Sequence, residues 1–305
     1  MLQDSSCSRC PRKCGTDRRT GSGYCKSGNG FEIASICMHN GEEPVLGGEA
    51  GVCNIFFSHC NLQCLYCQNY QISRNGTPAA VRDLDDIMET MTGFLDNGIG
   101  SIGFVSPSHM IPQMIEIIKA VKDAGYRPAF IMNTNAYDEI ETIEMLSDFI
   151  DVYLPDFKYM DPELARDLSG AYDYPDVALK AIREMYRQKG SSISFSENGT
   201  IESGLIIRHL VLPGYIDNSR RCLRTIAEEL STSVHISLMS QYSPPAEIHG
   251  HEFPGRRVSR DEYEEIIEEM YRLGFYRGWV QGLESPDCYM PDFSLDDPFG
   301  DRRPC

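Results

Sequence analysis

The sequence holds no apolar run near the ~20 residues that a helix needs to cross a bilayer, which excludes a helical membrane span. Its opening residues, Met1 to Ser6, carry neither a basic region nor an apolar stretch, so no export signal is expected and a cytoplasmic setting is. Basic charge is scarce. Against 45 Asp and Glu stand 28 Lys and Arg, for a formal net charge of −17. That balance argues against a protein that works mainly by coating nucleic acid. Internal repeats and low-complexity tracts are missing too. With 41% apolar and 24% charged residues, disorder and collagen-like structure are excluded. A chain of 305 residues can build one large α/β domain or two smaller ones, with a core that needs no disulfide staples.

Cysteine, by contrast, is abundant. Twelve are present, and nine of them fall in the first 67 residues. Clustered thiols in a chain expected to stay in a reducing compartment point to metal or iron–sulfur ligation rather than disulfides. Residues 1 to 26 are also basic, with six Lys or Arg against two acids, a net of +4 that leaves −21 for the remainder. A small basic Cys-rich module thus precedes an acidic body. Residues 39 to 51 (HNGEEPVLGGEAG) are Gly-rich and polar and read as a connecting loop.

From residue 51 the chain alternates. Strands are expected at Val52 to Phe57, Ser101 to Val105, Ala129 to Asn133, Asp151 to Asp156, Leu205 to Leu212 and His235 to Ser240. Helical stripes fall between them, on Leu84, Ile87 and Met91, and on Met114, Ile117 and Val121 with Gly125 closing. Further helices are expected through Ile140, Ile143 and Ile150, over 175–189, and over 219–230. The last clear helix opens on a Ser259–Glu262 capping box. Asn198-Gly199 predicts a tight turn. Alternating βα units imply a parallel sheet, but periodicity does not separate an open sheet from a barrel.

Directly after the first of these strands comes Cys60-Asn-Leu-Gln-Cys64-Leu-Tyr-Cys67. Three thiolates on one loop can hold three irons of a four-iron cluster and leave the fourth open to a ligand. Zinc sites usually take paired C-x2-C units, and no second pair follows within reach.

With the aromatic Tyr66 before its last cysteine, this C-x3-C-x2-C loop resembles the radical S-adenosylmethionine superfamily. The wider stretch FFSHCNLQCLYCQNYQIS (56 to 73) resembles the pyruvate formate-lyase activating enzyme group within it. The likeness continues upstream in CSRCPRKCG (7 to 15), GYC (23 to 25) and EEP (42 to 44). Downstream it includes VSPSH (105 to 109), NTNAY (133 to 137), LPDFKYMDP (154 to 162), RHLVLPG (208 to 214) and MSQY (239 to 242). The resemblance implies an α/β fold, a partial (β/α)6 TIM-like barrel with a Cys-rich N-terminal extension. Its domains would be an extension and linker over 1–50, the barrel over 51–290 and a C-terminal tail over 291–305.

It also implies a 4Fe-4S cluster on Cys60, Cys64 and Cys67, with S-adenosyl-L-methionine chelating the open iron. Reductive cleavage of that cofactor yields a 5′-deoxyadenosyl radical that abstracts hydrogen from a substrate, so no side chain is assigned as acid or base. The implied partners are an electron donor such as flavodoxin or ferredoxin and a glycyl radical enzyme or other protein substrate, with no membrane partner. The same chemistry on a small molecule or RNA stays open as an alternative. So does a zinc-stabilised non-catalytic binding protein.

Residues at strand ends carry over as cofactor-binding candidates. Asp156 and Lys158 resemble the Asp-x-Lys of glycyl-radical activating enzymes, and Arg208 matches an Arg that contacts the cofactor carboxylate. For both sets the alternative is an ion pair. Asn133 and Asn135 end one strand and Gln241 another, with strand-end capping as their alternative. Many superfamily members carry Gly-Gly-Glu after the second strand, where this chain reads Ser106-Pro107-Ser108-His109. Ser106 and Ser108 are the better substitutes there. The Gly47 to Glu49 triplet precedes the cluster loop and reads as a decoy.

Cys7, Cys10, Cys14 and Cys25 form a second four-thiolate set, suited to zinc or an auxiliary iron–sulfur cluster. Its basic charge also allows docking to an acidic partner. Cys222 shares a helical face with Ile226 and Leu230 and is expected in the core, Cys53 lies in the first strand, and Cys37, Cys288 and Cys305 show no pairing pattern. His249-Gly-His251 is a weak two-ligand fragment.

Overall fold

A computed structural model describes residues 6–48, 50–197, 199, 201–244, 255–288 and 290–300, with the backbone alone at 287 and 288. Phe31–His39 (β1) pairs antiparallel with Val52–Phe57 (β2), with a register shift between Ile33 and Ser35. Between them the expected loop winds into one helical turn, Pro44–Gly47 (α1), started by Pro44, whose fixed φ suits a first helical position. Tyr70–Ser73 (α2), Val81–Arg82 (β3) and Leu84–Asp96 (α3) follow. Next come Ser101–Val105 (β4), Ile111–Asp123 (α4), Ala129–Thr134 (β5), Ile140–Met145 (α5) and Val152–Pro155 (β6). The second half holds Pro162–Ser169 (α6), Tyr174–Lys189 (α7), Ser194–Phe195 (β7), Ile201–Leu210 (β8) and Ile216–Glu229 (α8). His235–Met239 (β9), Arg260–Arg272 (α9), Gly278–Val280 (β10) and the short Ser285–Cys288 (α10) follow.

The strand order is β10-β9-β8-β6-β5-β4-β2-β1-β3. From β10 to β2 every neighbouring pair is parallel, while β1 and β3 add an antiparallel margin and β7 pairs only with β8. The sheet curls. Residues from β1 (His39), β5 (Asn133) and β10 (Trp279) line one cavity, which a flat sheet of this order could not bring together. This is the partial barrel that the resemblance implied.

Each face has its own core. Outward-facing Ile102, Phe104, Phe130 and Met132 pack under the helices, where α4 contributes Met114, Ile117 and Val121. Inward-facing Val52, Ile131, Leu154 and Ile206 meet Leu46 of α1, so that helical turn plugs the floor of the lumen. Truncating one of these fully buried aliphatic side chains to Ala costs about 2–5 kcal/mol. Helix ends follow their local signals. Gly125 takes φ +92° just past α4, and Ser259 and Glu262 cap α9 reciprocally. The helix expected through Ile150 stops at Met145, and the strand expected from Leu205 already starts at Ile201 and ends at Leu210. The elements β1, α2, β3, α6, β7, β10 and α10 were not anticipated from the pattern. No described helix is long and apolar enough to cross a membrane.

Candidate functional site

β2 delivers the chain to the mouth of the barrel, and the cysteine loop begins there. His59 takes φ +68°, a turn that sends Cys60 back across the strand ends. Its amide donates to Ile72 O at 2.6 Å, and its Nε2 lies 2.8 Å from Thr77 O. Asn61 then ties the loop to the β5 end: its Nδ2 donates to Tyr137 O, and its Oδ1 accepts from Asn135 Nδ2, both at 2.8 Å. Gln63 donates to Ser73 O at 3.0 Å and accepts from the Asn75 amide at 3.1 Å.

Within this frame Cys60, Cys64 and Cys67 line a single cleft of about 150 Å³. Every sulfur receives a donor. The Leu62 amide and Asn135 Nδ2 each reach Cys60 Sγ at 3.4 Å. Ser169 Oγ donates to Cys64 Sγ at 3.0 Å, and Ser73 Oγ to Cys67 Sγ at 3.2 Å. Burial raises the pKa of the Cys60 and Cys64 thiols, and a bound cation would work against that rise. Among the described residues no three His, Cys, Asp or Glu converge as a single-ion site. The donors aimed at each sulfur fit anionic thiolate ligands of a cluster.

The same cleft is lined by Ser106, Asn133 and Asn135, by Asp156 and Lys158, and by Arg208 and Gln241. The barrel therefore brings together all but one of the residues picked as cofactor-binding. Ser108 lies elsewhere, buried with its hydroxyl 3.3 Å from Thr134 Oγ1. Ser106 takes φ +52° beyond β4, and its amide donates to Asn133 O at 2.8 Å. Lys158 Nζ lies 2.7 Å from Asp156 Oδ2. Burial works against that ammonium, but Asp156 and the Cys64 sulfur outweigh it and raise its pKa. Gln241 joins a ladder, donating to Gln68 Oε1 and accepting from Gln281 Nε2, each at 2.9 Å.

Arg208 is more heavily engaged than expected. Its Nε donates to Glu43 Oε1 at 2.9 Å, and its Nη2 pairs with both Glu42 and Glu43. Burial opposes charge on Glu42, yet Arg208 pulls its carboxyl down to about 2. Asn54 Nδ2 also donates to Glu42 at 2.8 Å, and Asn54 fits only because position 103 is Gly, where a Cβ would collide with its Oδ1. Sequence reasoning missed the two glutamates as site residues. Their signal was the EEP triplet inside a stretch read as linker. Arg208 forms part of the wall between the cleft and a second cavity of about 270 Å³ that runs into the lumen past Glu42, Ser237 and Trp279.

The N-terminal module sits on this site. Cys7, Cys10 and Cys25 are buried and Cys14 is exposed. Burial pushes the Cys10 thiol up to about 12, with the Cys25 and Cys7 charges adding. For Cys14, burial is outweighed by hydrogen bonds from Thr16, Tyr24 and Cys7, and its pKa falls. Arg12 Nε donates to Asn61 O at 2.9 Å, and its guanidinium stacks 4.0 Å over Tyr24. Buried Arg18 reaches His109 O at 2.5 Å. His109 is itself buried, its Nε2 2.9 Å from Ser58 O, and burial brings its pKa to about 4. It lies outside the cleft lining. Cys37, Cys53 and Cys222 are buried. Glu49, His249, His251 and Cys305 lie outside the described residues, as does the side chain of Cys288.

A family model described as the radical SAM superfamily matches residues 54–221, more than half of the chain. The uncharacterized protein MJ0674 of Methanocaldococcus jannaschii is 27% identical over 282 residues, spanning 88% of this chain and 75% of its own. The crystal structure of Streptococcus suis SuiB bound to precursor peptide SuiA is similar with a TM-score of 0.51 at 15% identity, over 78% of this chain and 50% of that one. SuiB bound to S-adenosylmethionine gives a TM-score of 0.51 at 14% identity, over 75% and 50%. The FeFe-hydrogenase maturase HydG from Carboxydothermus hydrogenoformans gives 0.52 at 14% identity, over 73% and 50%. The chain spans about half the length of these solved structures, and the likeness is one of fold.

Proposed function

Because this chain belongs to the radical SAM superfamily, which implies a four-iron–four-sulfur cluster and S-adenosylmethionine, we propose that Cys60, Cys64 and Cys67 carry the cluster. The adjoining cleft then takes S-adenosylmethionine, for hydrogen abstraction of the activating-enzyme type. One observation carries this reading: the three cysteines and the polar strand ends share a single cleft. When bound, cluster and cofactor supply reductive cleavage and hydrogen abstraction.

The chain's own residues bind and orient. Lys158 and Asp156 present a cation and an anion side by side, which suits the carboxylate and ammonium of an amino-acid moiety. Arg208 lines the cleft from the lumen side, its charge already matched by Glu42 and Glu43, which hold it in place. Ser106, Asn133 and Gln241 offer neutral donors and acceptors. Buried Tyr66 packs edge-on to Tyr159 and Tyr242 and keeps water from the back of the cysteine loop.

The substrate in this reading is a backbone glycine of a partner enzyme, and the electron donor is a small flavodoxin- or ferredoxin-type protein in the cytoplasm. SuiB, a structure of similar fold, is bound to a precursor peptide, which is in keeping with a polypeptide substrate in this reading. We also propose that Cys7, Cys10, Cys14 and Cys25, which are not drawn together on one point in this structure, close around zinc or an auxiliary iron–sulfur cluster when it binds. The test is anaerobic reconstitution with iron, sulfide and zinc analysis. About four irons per chain, or about eight if both sets fill, together with dithionite-dependent release of methionine from S-adenosylmethionine, are expected. Zinc without iron would overturn the reading.

A further inference from the structure

Ser169 ends α6 and is fully buried, and its hydroxyl donates to Cys64 Sγ at 3.0 Å. A serine has one hydroxyl proton, and here the sulfur takes it. The Tyr159 hydroxyl, 2.7 Å from Ser169 Oγ, must therefore donate to it. By the same logic the Tyr66 hydroxyl, 2.6 Å from that of Tyr159, donates to Tyr159. Both tyrosines are buried. The result is a one-way chain of donors, Tyr66 to Tyr159 to Ser169 to Cys64, in which each bond polarises the next.

The far side of Ser169 is fixed from the N-terminal module. Arg12 Nη2 donates to Ser169 O at 3.3 Å and Nη1 to Gly170 O at 2.6 Å, while Nε holds Asn61 O in the cysteine loop at 2.9 Å. One guanidinium thus clamps the end of α6 to the loop between Cys60 and Cys64. Gly170 takes the left-handed conformation that closes the helix there.

We propose that Ser169 is a positioning residue that sets the reduction potential of the cluster through Cys64, and that Arg12 ties this setting to the N-terminal module. The proposal rests on the reading of Cys64 as a cluster ligand. Its physical basis is that reduction adds negative charge to the cluster and its sulfurs, so a donor to a ligand sulfur favours the reduced state and raises the potential.

The experiment is an EPR-monitored redox titration of the full chain after anaerobic reconstitution, with iron and sulfide counted in each sample. The variants are Ser169→Ala, Tyr159→Phe and Arg12→Gln. All three are expected to keep the wild-type iron content. Ser169→Ala should move the midpoint potential to more negative values, and Tyr159→Phe and Arg12→Gln should move it less, in the same direction. If Ser169→Ala loses its cluster, Tyr159→Phe decides, because it keeps every ligand and the serine. Full clusters with unmoved potentials would overturn this inference alone. A wild-type chain that takes up no iron would overturn the proposed function, and this inference with it.

Discussion

The chain carries two sets of clustered thiols, and their surroundings differ. In the loop from Cys60 to Cys67 all three sulfurs line an open cleft, each with a hydroxyl or N–H donor aimed at it. In the module from Cys7 to Cys25 three thiols are buried, and the chain is stitched to itself by short backbone bonds such as Cys7 N to Thr16 O at 2.9 Å. A set of three ligands beside a cavity leaves room for chemistry. Four thiolates gathered on one ion or cluster would leave no open position, which suits structure or electron relay rather than catalysis. Arg12 joins the module to the cysteine loop at Asn61 and Arg18 joins it to His109 beyond β4, so the module buttresses the site.

The largest effect expected is on the open set. Changing any of Cys60, Cys64 or Cys67 to Ala should reduce cleavage of S-adenosylmethionine to background while the module keeps its metal. Cleavage retained by such a variant, measured as methionine released, would erase the distinction between the sets. Changing Cys7, Cys10, Cys14 and Cys25 together to Ser should remove one metal complement and leave the catalytic cluster. Limited proteolysis should then cut before about residue 50, since so short a segment depends on its metal for order. Wild-type metal content and resistance would show the module to be plain thiols.

Smaller effects sharpen the contrast. Arg208→Ala strands Glu42 and Glu43 in the lumen without their cation and should cost about 3–5 kcal/mol of stability, read from urea denaturation. Lys158→Ala should weaken S-adenosylmethionine binding by about 1.5–3 kcal/mol in equilibrium dialysis and leave the metal content unchanged. The smallest effect belongs to His109, at the seam between module and loop. Its pKa falls from the ordinary 6.5 to about 4 on folding. Between those values the unfolded chain binds the proton and the folded one does not. The contribution is therefore complete above pH 6.5 and is lost as the pH falls towards 4. Thermal melts across that range should show a flatter decline in His109→Gln than in the wild type.

Much of this site was legible before any coordinates. The spacing of Cys60, Cys64 and Cys67 marked the cysteine loop, because a local chelating motif needs no tertiary information. The resemblance carried Asp156, Lys158 and Arg208, which the barrel places on one cleft. Other parts were hidden. β1 is bulged between Ile33 and Ser35, and its buried positions do not alternate cleanly, so it carries little period-two signal. Glu42 and Glu43 sit in a Gly-rich stretch that reads as linker, and only the curl of the sheet brings them to Arg208, 165 residues away. Ser108 looked like a pocket residue by position, but the turn at Ser106 directs it to Thr134.

What the sequence by itself determined was the ligand spacing of the cysteine loop and the run of βα units. Both are set by spacing along the chain: ligand intervals in one case, apolar periodicity in the other. What only the tertiary structure decided was the company these residues keep. Curling the sheet set β10 and β1 around one cavity, put Arg208 between two glutamates, and brought Ser169 and Arg12 against the cysteine loop. Such contacts join segments far apart in the chain, 49 residues for Arg12 and Asn61 and 165 for Glu43 and Arg208, and the partner of a buried polar group is chosen by whichever element packing carries to it.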